Sequence, residues 1–278
     1  MSLSNKALLA SLTISQWAGR KHDKNATGTV ETMYSTVGKV GNYSKKLLPG
    51  ATELDDIQKH AQQLRMFFYE QTLPWCADGS RILSSKNYID FTNEFRSKKS
   101  AFERAVSDFI YAYPRLLQEA KVKLGDLFRE TDYPTTDMLR GAFNCEITFM
   151  PIPDVADFRV EILDSERDSF LTRMTEVETA ATRDCWHRLH DVVAKAAAKL
   201  QSPETIFRDS LISNISEMCA LLPKLNVNDD TTLETMRQSV ESLVASINPE
   251  ACRANEIIRS DAATKLDEIT AKMSAFMS

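Results

Sequence analysis

Apolar residues recur every three or four positions along most of this chain, which is the spacing of one face of an α-helix. The longest such stretch lies between residues 165 and 200, where two halves each carry a stripe and the phase slips between them. Glycine and proline, which interrupt regular elements, contribute only 8 and 9 of the 278 residues. We therefore expect long helices as the dominant structure.

The same spacing predicts further helices before and after this stretch. One runs from Lys24 to Val37, and a first helical region covers residues 52–130. Within that region Pro114 predicts either one long kinked helix or two stacked helices, because proline clashes with the preceding turn. Residues 165–278 are predicted to form helical hairpins, with starts at a Thr231 capping box and at Asn248 followed by Pro249.

Two segments alternate with a period of two, which is typical of half-buried strands. Residues 8–16 predict an N-terminal strand, with a helix start as the alternative because Ala and Leu favour helices. Residues 143–163 predict a β-hairpin around a proline-rich turn. An isolated hairpin is marginally stable, so the N-terminal strand is the expected third member. The predicted fold is α+β and mostly α-helical, a single elongated domain over residues 1–278 whose long packed helices accompany a small three-stranded sheet.

The net charge of −5 conceals an asymmetry. Residues 1–46 contain seven basic and two acidic residues, a balance of +5, so the remainder carries −10. This pattern indicates either contact with nucleic acid or a membrane, or two faces of one protein that neutralise each other.

Several features predict a cytoplasmic protein without a membrane partner. The apolar runs are far shorter than the roughly 18 residues that span a bilayer. We find no secretory signal at the N-terminus. The 5 cysteines are odd in number, widely spaced and without a Cys-x-x-Cys pair, which is typical of reduced thiols.

The sequence carries no motif for catalysis. The cluster from Cys185 to His190 contains one thiol and two imidazoles, but zinc needs three or four ligands and no second cluster accompanies it. A polar helix face explains these residues more simply. The segment from Gly38 to Lys46 lacks the spacing of a phosphate-binding loop. We therefore predict no catalytic residue, no metal and no cofactor. A hydrolase or metalloenzyme ranks third, after the two functions given at the end of this section.

Two basic patches are candidates for phosphate contact, one following Trp17 and one with a tyrosine among lysines. Single-strand binding surfaces combine basic and aromatic side chains in this way. The candidate nucleic-acid-binding residues are Arg20, Lys21, Lys24, Tyr43, Lys45 and Lys46. The long apolar stripes independently favour self-association or a protein partner, because helices of this length often leave part of a seam for another subunit.

The opening segment LSNKALLASLTISQWAGRKHDK, residues 3–24, resembles the start of a phage and mobile-element family, domain-of-unknown-function family 3150. The 143–162 segment and the helical remainder also fit this family. It has no established catalytic residues, so none is carried over. The resemblance implies a bacterial cytoplasmic protein encoded beside a MoxR-type AAA+ ATPase and a von Willebrand A-domain protein.

These observations lead to two functional expectations. The first is a non-enzymatic phage or mobile-element assembly or adaptor protein that acts through protein–protein contacts, as a homo-oligomer and as a partner of the AAA+ ATPase. The alternative is a DNA-associated protein, either single-strand binding or a recombination accessory, that uses the basic N-terminal segment.

Overall fold

The computed structural model describes residues 3–75, 79–154, 163–202 and 208–277. In these ranges the strands are β1 (Ala7–Ser15), β2 (Arg20–His22), β3 (Ser44–Lys46), β4 (Leu73–Pro74), β5 (Arg81–Ser84) and β6 (Asn144–Pro151). The helices are α1 (Lys24–Met33), α2 (Thr52–Glu70), α3 (Tyr88–Leu124), α4 (Thr136–Ala142), α5 (Asp164–Gln201), α6 (Ser210–Leu225), α7 (Thr231–Ser246), α8 (Pro249–Ala254) and α9 (Glu256–Ser274). The protein is mostly helical with a small antiparallel sheet, which confirms the predicted α+β class.

Contacts within the chain divide it into two compact units. Unit 1 comprises Met1–Ser11, Phe68–Thr92 and Thr148–Ser278, and unit 2 comprises Leu12–Phe67 and Asn93–Ile147. The sequence analysis assigned a single domain to all of these residues.

The larger sheet has the strand order β4–β5–β1–β6. Ala7 pairs with Ser84 and Ala10 with Arg81, so β1 and β5 run antiparallel. The predicted N-terminal strand corresponds to β1, and the first arm of the predicted hairpin corresponds to β6. The second arm lies outside the described residues. Strands β4 and β5 lie inside the range 52–130, which the sequence pattern assigns to the first helical region.

In unit 1 the long helix α5 packs against α6, α7 and α9. Its buried stripe keeps the helical spacing that the sequence predicted and consists of Val177, Ala181, Cys185, Leu189, Val193, Ala196 and Leu200. Trp186 also lies in this core, where its ring stacks on Phe276 with a centroid separation of 4.6 Å. The apolar residues of the other helices close around the same cluster.

The helix starts in the C-terminal part of unit 1 follow local capping rules. The side chain of Asn248 accepts hydrogen bonds from two backbone amides of α8, and Pro249 occupies the first turn, as predicted. The prediction for α7 was wrong by one residue. Asp230, not Thr231, is the N-cap, and its carboxylate accepts from the amides of Thr232 and Leu233.

In unit 2 both α2 and α3 bury an apolar stripe. Leu54, Ile57, Ala61 and Leu64 form the buried stripe of α2. Glu53 of α2 pairs with Arg115 of α3 at 2.5 Å. Pro114 is accommodated inside α3, so the alternative of one long helix is the observed one.

Helix α1 ends earlier than predicted, at Met33 instead of Val37. Ser35 adopts a left-handed conformation with φ of +50°. The amide of Ser35 donates to the carbonyl of Thr32, and the amide of Thr36 donates to the carbonyl of Glu31. This bond pattern is a Schellman motif, which terminates a helix. It arises here at a serine, three residues before the glycine at which the sequence placed the end.

Candidate functional site

The predicted basic residues lie in unit 2 on a two-stranded ribbon and on the helix that follows its first strand. Strands β2 and β3 are antiparallel, with Arg20 opposite Lys46 and Lys21 opposite Lys45. Opposite residues share a face and successive residues alternate between faces. The ribbon therefore separates its cations, with Arg20 and Lys46 on one face and Lys21 and Lys45 on the other.

A close approach at Gly19 sets the start of this ribbon. Gly19 has φ of +62°, and its carbonyl accepts a hydrogen bond from the amide of Leu47 at 2.8 Å. A Cβ atom at this position would lie 2.6 Å from a methyl carbon of Leu54 on α2. Both the backbone conformation and the contact therefore favour glycine.

Lys45 is buried inside a network of ion pairs. Its side chain is only 2% exposed, and its Nζ lies 2.9 Å from Asp23 and 2.7 Å from Asp132. The third contact is a hydrogen bond to the carbonyl oxygen of Leu127 at 2.6 Å. Since an ammonium group has three donors, its hydrogen-bonding capacity is filled. Lys45 is therefore not available to a phosphate, and it leaves the candidate nucleic-acid-binding set.

The network favours the charged form of each member. Hydrogen bonds from the backbone amide of Ala26 and from Lys45 lower the pKa of Asp23 to about 2. Burial by itself raises the pKa of Asp132, but hydrogen bonds from Lys21 and Lys45 outweigh it and the pKa is lowered. Burial lowers the pKa of Lys45, and the two carboxylates reverse this effect and raise it. The network is a structural tie that holds the ribbon, the start of α1 and residues 127–132 together.

The other predicted cations are more accessible. Lys21 is half exposed and pairs with Asp132 at 2.8 Å. Arg20, Lys24 and Lys46 are exposed, and within the described part of the chain they form no ion pair. Tyr43, 41% exposed, is tied to α1 because its amide donates to the hydroxyl of Thr27. Five of the six predicted residues are thus accessible, with Arg20 and Lys46 on one face of the ribbon and Lys21 on the other.

An exposed apolar surface lies on α1 and on the segment between α1 and β3, and the sequence pattern does not identify it as a site. Helix α1 contains no buried residue. Six large side chains on α1 and the segment after it are exposed, by 41% to 97%, and we call them the apolar surface: Val30, Met33, Tyr34, Val37, Val40 and Tyr43. The helical spacing of the first four normally indicates a core face, so the pattern alone predicts burial.

A groove runs through the apolar surface. It has a volume of about 280 Å³ and is lined by Thr27, Val30 and Glu31 of α1 and by residues 40–43. One carboxylate oxygen of Glu31 is shielded from solvent and has no hydrogen-bond partner among the described residues. Such a group is costly unless a donor reaches it, so the groove has both an apolar lining and an unmet acceptor.

A larger cavity in unit 1 is less suited to a ligand. It measures about 570 Å³ and is lined by Trp186, Phe276 and the polar side chains of neighbouring helices. Much of that polar lining is engaged internally. Lys6 pairs with Asp229 at 2.6 Å, and the amide of Asn228 donates to the carbonyl of Glu178. These groups stabilise the unit rather than face an empty site.

The cysteine–histidine cluster lies on α5 without the geometry of a metal centre. Burial raises the pKa of Cys185 to about 12, so this thiol is protonated at neutral pH. His190 contacts Asp191 at 3.1 Å. Over the described ranges, no group of three or more His, Cys, Asp or Glu side chains is placed to hold a metal ion.

No protein-family model, curated protein or solved structure matches this chain. None of the helices in the described ranges combines the length and the apolar character that crossing a membrane requires.

Proposed function

We propose that this protein is a non-enzymatic assembly or adaptor protein that binds another protein through the apolar surface. One observation carries the proposal: six large apolar side chains are exposed on and beside α1, a ten-residue helix that contains no buried residue. Contiguous exposed apolar surface is unfavourable in water and marks interaction sites. A helix of this length is marginal on its own, so its apolar face gains stability when a partner covers it.

The biological setting of the proposal comes from the sequence. The resemblance of residues 3–24 to family 3150 suggests a phage or mobile-element protein in the bacterial cytoplasm. It also suggests a MoxR-type AAA+ ATPase as a partner, and the long apolar stripes suggest a homo-oligomer. The sequence has no catalytic motif, which supports an adaptor over an enzyme.

Photo-crosslinking at the apolar surface tests the proposal. A photoreactive amino acid replaces Val37, which is 97% exposed, in cells that naturally contain the protein. The matched control replaces Val122 of α3, which is 84% exposed and belongs to the same unit. We expect a discrete protein adduct at position 37 and none at position 122. Equal adducts at both positions, or none at position 37, would contradict the proposal.

A second candidate function is DNA association, which the three exposed cations Arg20, Lys24 and Lys46 favour. Each phosphate contact releases counterions, so three contacts predict a slope of about −3 for log affinity against log salt on duplex DNA. Lys46→Glu is expected to weaken binding to single- and double-stranded DNA. Lys59→Glu is the control, because Lys59 is an exposed lysine on α2 of the same unit. Salt-independent binding, or equal effects of the two variants, would exclude this function.

A further inference from the structure

We propose that the occupant of the apolar surface is a second copy of this chain, which docks the N-terminal part of its own α5 there. This inference rests on the proposed function, because it names the partner of the same surface. It follows from two exposed regions of one chain that both carry exposed apolar side chains and differ in the sign of the charges around them.

The first region is the apolar surface with its charged surroundings. Two exposed cations lie in the same stretch of chain, Lys24 at the start of α1 and Lys39 beside Val40, and two more, Arg20 and Lys46, lie on the ribbon strands that precede and follow this stretch. The acidic residues of this segment do not balance them. Asp23 is committed to Lys45, and Glu31 is the remaining carboxylate. An occupant should therefore be apolar on one face and acidic at its edges.

The second region is the start of α5. Residues 164–176 precede the first buried position of this helix, Val177, and only Phe170 and Met174 among them are partly covered. Leu163 is 70% exposed and Leu171 is 47% exposed. A long helix that extends beyond its core in this way leaves several turns of side chain to solvent.

This part of α5 has the chemistry that the groove requires. Arg167 and Leu171 are four residues apart in α5 and so lie on one face, and Leu163 is the residue that caps the start of the helix. Acidic residues flank that face at Asp164, Glu166 and Asp168. An amphipathic helix that lays its apolar face in a groove is a common mode of protein recognition.

The hydrogen-bonding groups also match. Glu31 lines the groove, and one of its carboxylate oxygens has no donor among the described residues. Arg167, on the same face as Leu171, supplies a guanidinium. In the complex, Arg167 of one copy therefore pairs with Glu31 of the other. The acidic residues at the edges of α5 pair with the lysines around the apolar surface. Because the two regions differ, the contact is heterologous and generates a ring, a filament or a reciprocal pair.

Light scattering coupled to size-exclusion chromatography tests the inference on the full chain. The wild-type protein is expected to exceed its 31.4 kDa monomer mass as its concentration rises, and high salt is expected to weaken this association. Lys24→Glu combined with Lys46→Glu should weaken it roughly 10-fold or more through like-charge repulsion, as should Glu166→Lys combined with Asp168→Lys. All four positions are exposed, so the variants should fold, which circular dichroism checks.

The decisive arm mixes the two charge-reversed proteins. Their reversed surfaces complement each other, so the mixture should associate although each protein alone does not. Lys59→Glu is the control and should leave the mass unchanged. The inference is overturned if the wild-type protein is a monomer at every concentration, or if the charge reversals leave its association unchanged. It is also overturned if the mixture of the two variants does not associate, or if nuclease treatment reduces the mass to that of the monomer.

The crosslinking experiment separates this inference from the proposed function. An adduct of two copies at position 37 supports both. An adduct with a different protein, together with a monomeric chain, sustains the proposed function and overturns the second-copy inference. The absence of any adduct overturns both.

Discussion

Replacing Lys45 with alanine is expected to destabilise the protein strongly, although a basic residue in a basic segment is ordinarily dispensable. The substitution removes the ammonium group that lies within 3 Å of both Asp23 and Asp132. These carboxylates are 4% and 8% exposed, so they lose their shared cation without gaining full hydration. Breaking a buried ion pair from one side costs about 3–5 kcal/mol.

The lower end of that range applies here. Lys21 still reaches Asp132 at 2.8 Å, and the amides of α1 still donate to Asp23. A loss of about 3 kcal/mol corresponds to a folding equilibrium that is roughly 150-fold less favourable. The melting temperature should fall by roughly 5 °C.

Urea denaturation measures this change in the free energy of unfolding. Lys46→Ala is the matched control: it removes the neighbouring lysine, which is exposed and lies opposite Arg20, and should change stability by no more than about 0.5 kcal/mol. The double variant Lys45→Gln with Asp132→Asn should recover part of the loss, because neutral amides replace the charges. The reasoning is refuted if Lys45→Ala matches the wild type, or if Lys46→Ala costs as much.

Three further predictions concern the end of α1, an arginine of α5 and the ion-pair network. Ser35→Gly should stabilise the protein by about 0.5–1 kcal/mol in urea denaturation, because glycine tolerates the left-handed conformation at the end of α1; a loss of stability would contradict the Schellman assignment. Arg188→Ala should lower the free energy of unfolding by about 3 kcal/mol, because the guanidinium donates to the carbonyls of Tyr69, Glu70 and Thr72. Arg188→Lys should restore only part of this stability, since a lysine lacks the planar fork of donors. Full recovery with lysine would refute this prediction. The pKa of Asp23 is lowered from 3.8 to about 2, so its stabilising contribution is complete above about pH 4 and is lost as the pH falls through 2. An acid titration of stability should show this loss, and Asp23→Asn, which keeps the helix cap, should flatten it; an unchanged profile would count against the network.

Local patterns in the sequence predicted the elements whose stability comes from one apolar face. The stripes of α2, α3 and α5 are of this kind, since each pattern reports directly which side is buried. The alternation of β1 located the strand but not its buried side, because the buried residues Ala7, Leu9 and Ala10 lie on both faces. The position of Asn248 before Pro249 likewise identified the start of α8, because a cap depends on adjacent residues.

Elements held by long-range contacts were not predictable in this way. Strands β2 and β3 have the sequences RKH and SKK, which contain no apolar alternation. A long-range contact supports them, since Lys45 of β3 lies 2.7 Å from Asp132, a residue far away in sequence. Nothing near Lys45 in the chain distinguishes it from Lys46, yet one is buried and the other is exposed.

The candidate site was only half predictable for a related reason. The cations of residues 20–46 are visible as charge in the sequence. The exposure of Val30, Met33, Tyr34 and Val37 is not, because their spacing is that of a core-facing helix. Periodicity shows that a helix has an apolar face, and it does not show whether the chain itself covers that face.

Cysteine labelling at the apolar surface tests the central claim most directly. Val37→Cys and the control Val122→Cys are labelled with a maleimide in dilute purified protein and in intact cells that naturally contain the protein. Peptide mass spectrometry reads the reaction at each position. If the apolar surface is an interface, position 37 reacts several-fold more slowly in cells than in dilute solution, and position 122 reacts alike in both. Equal reactivity of position 37 in both settings would contradict the account.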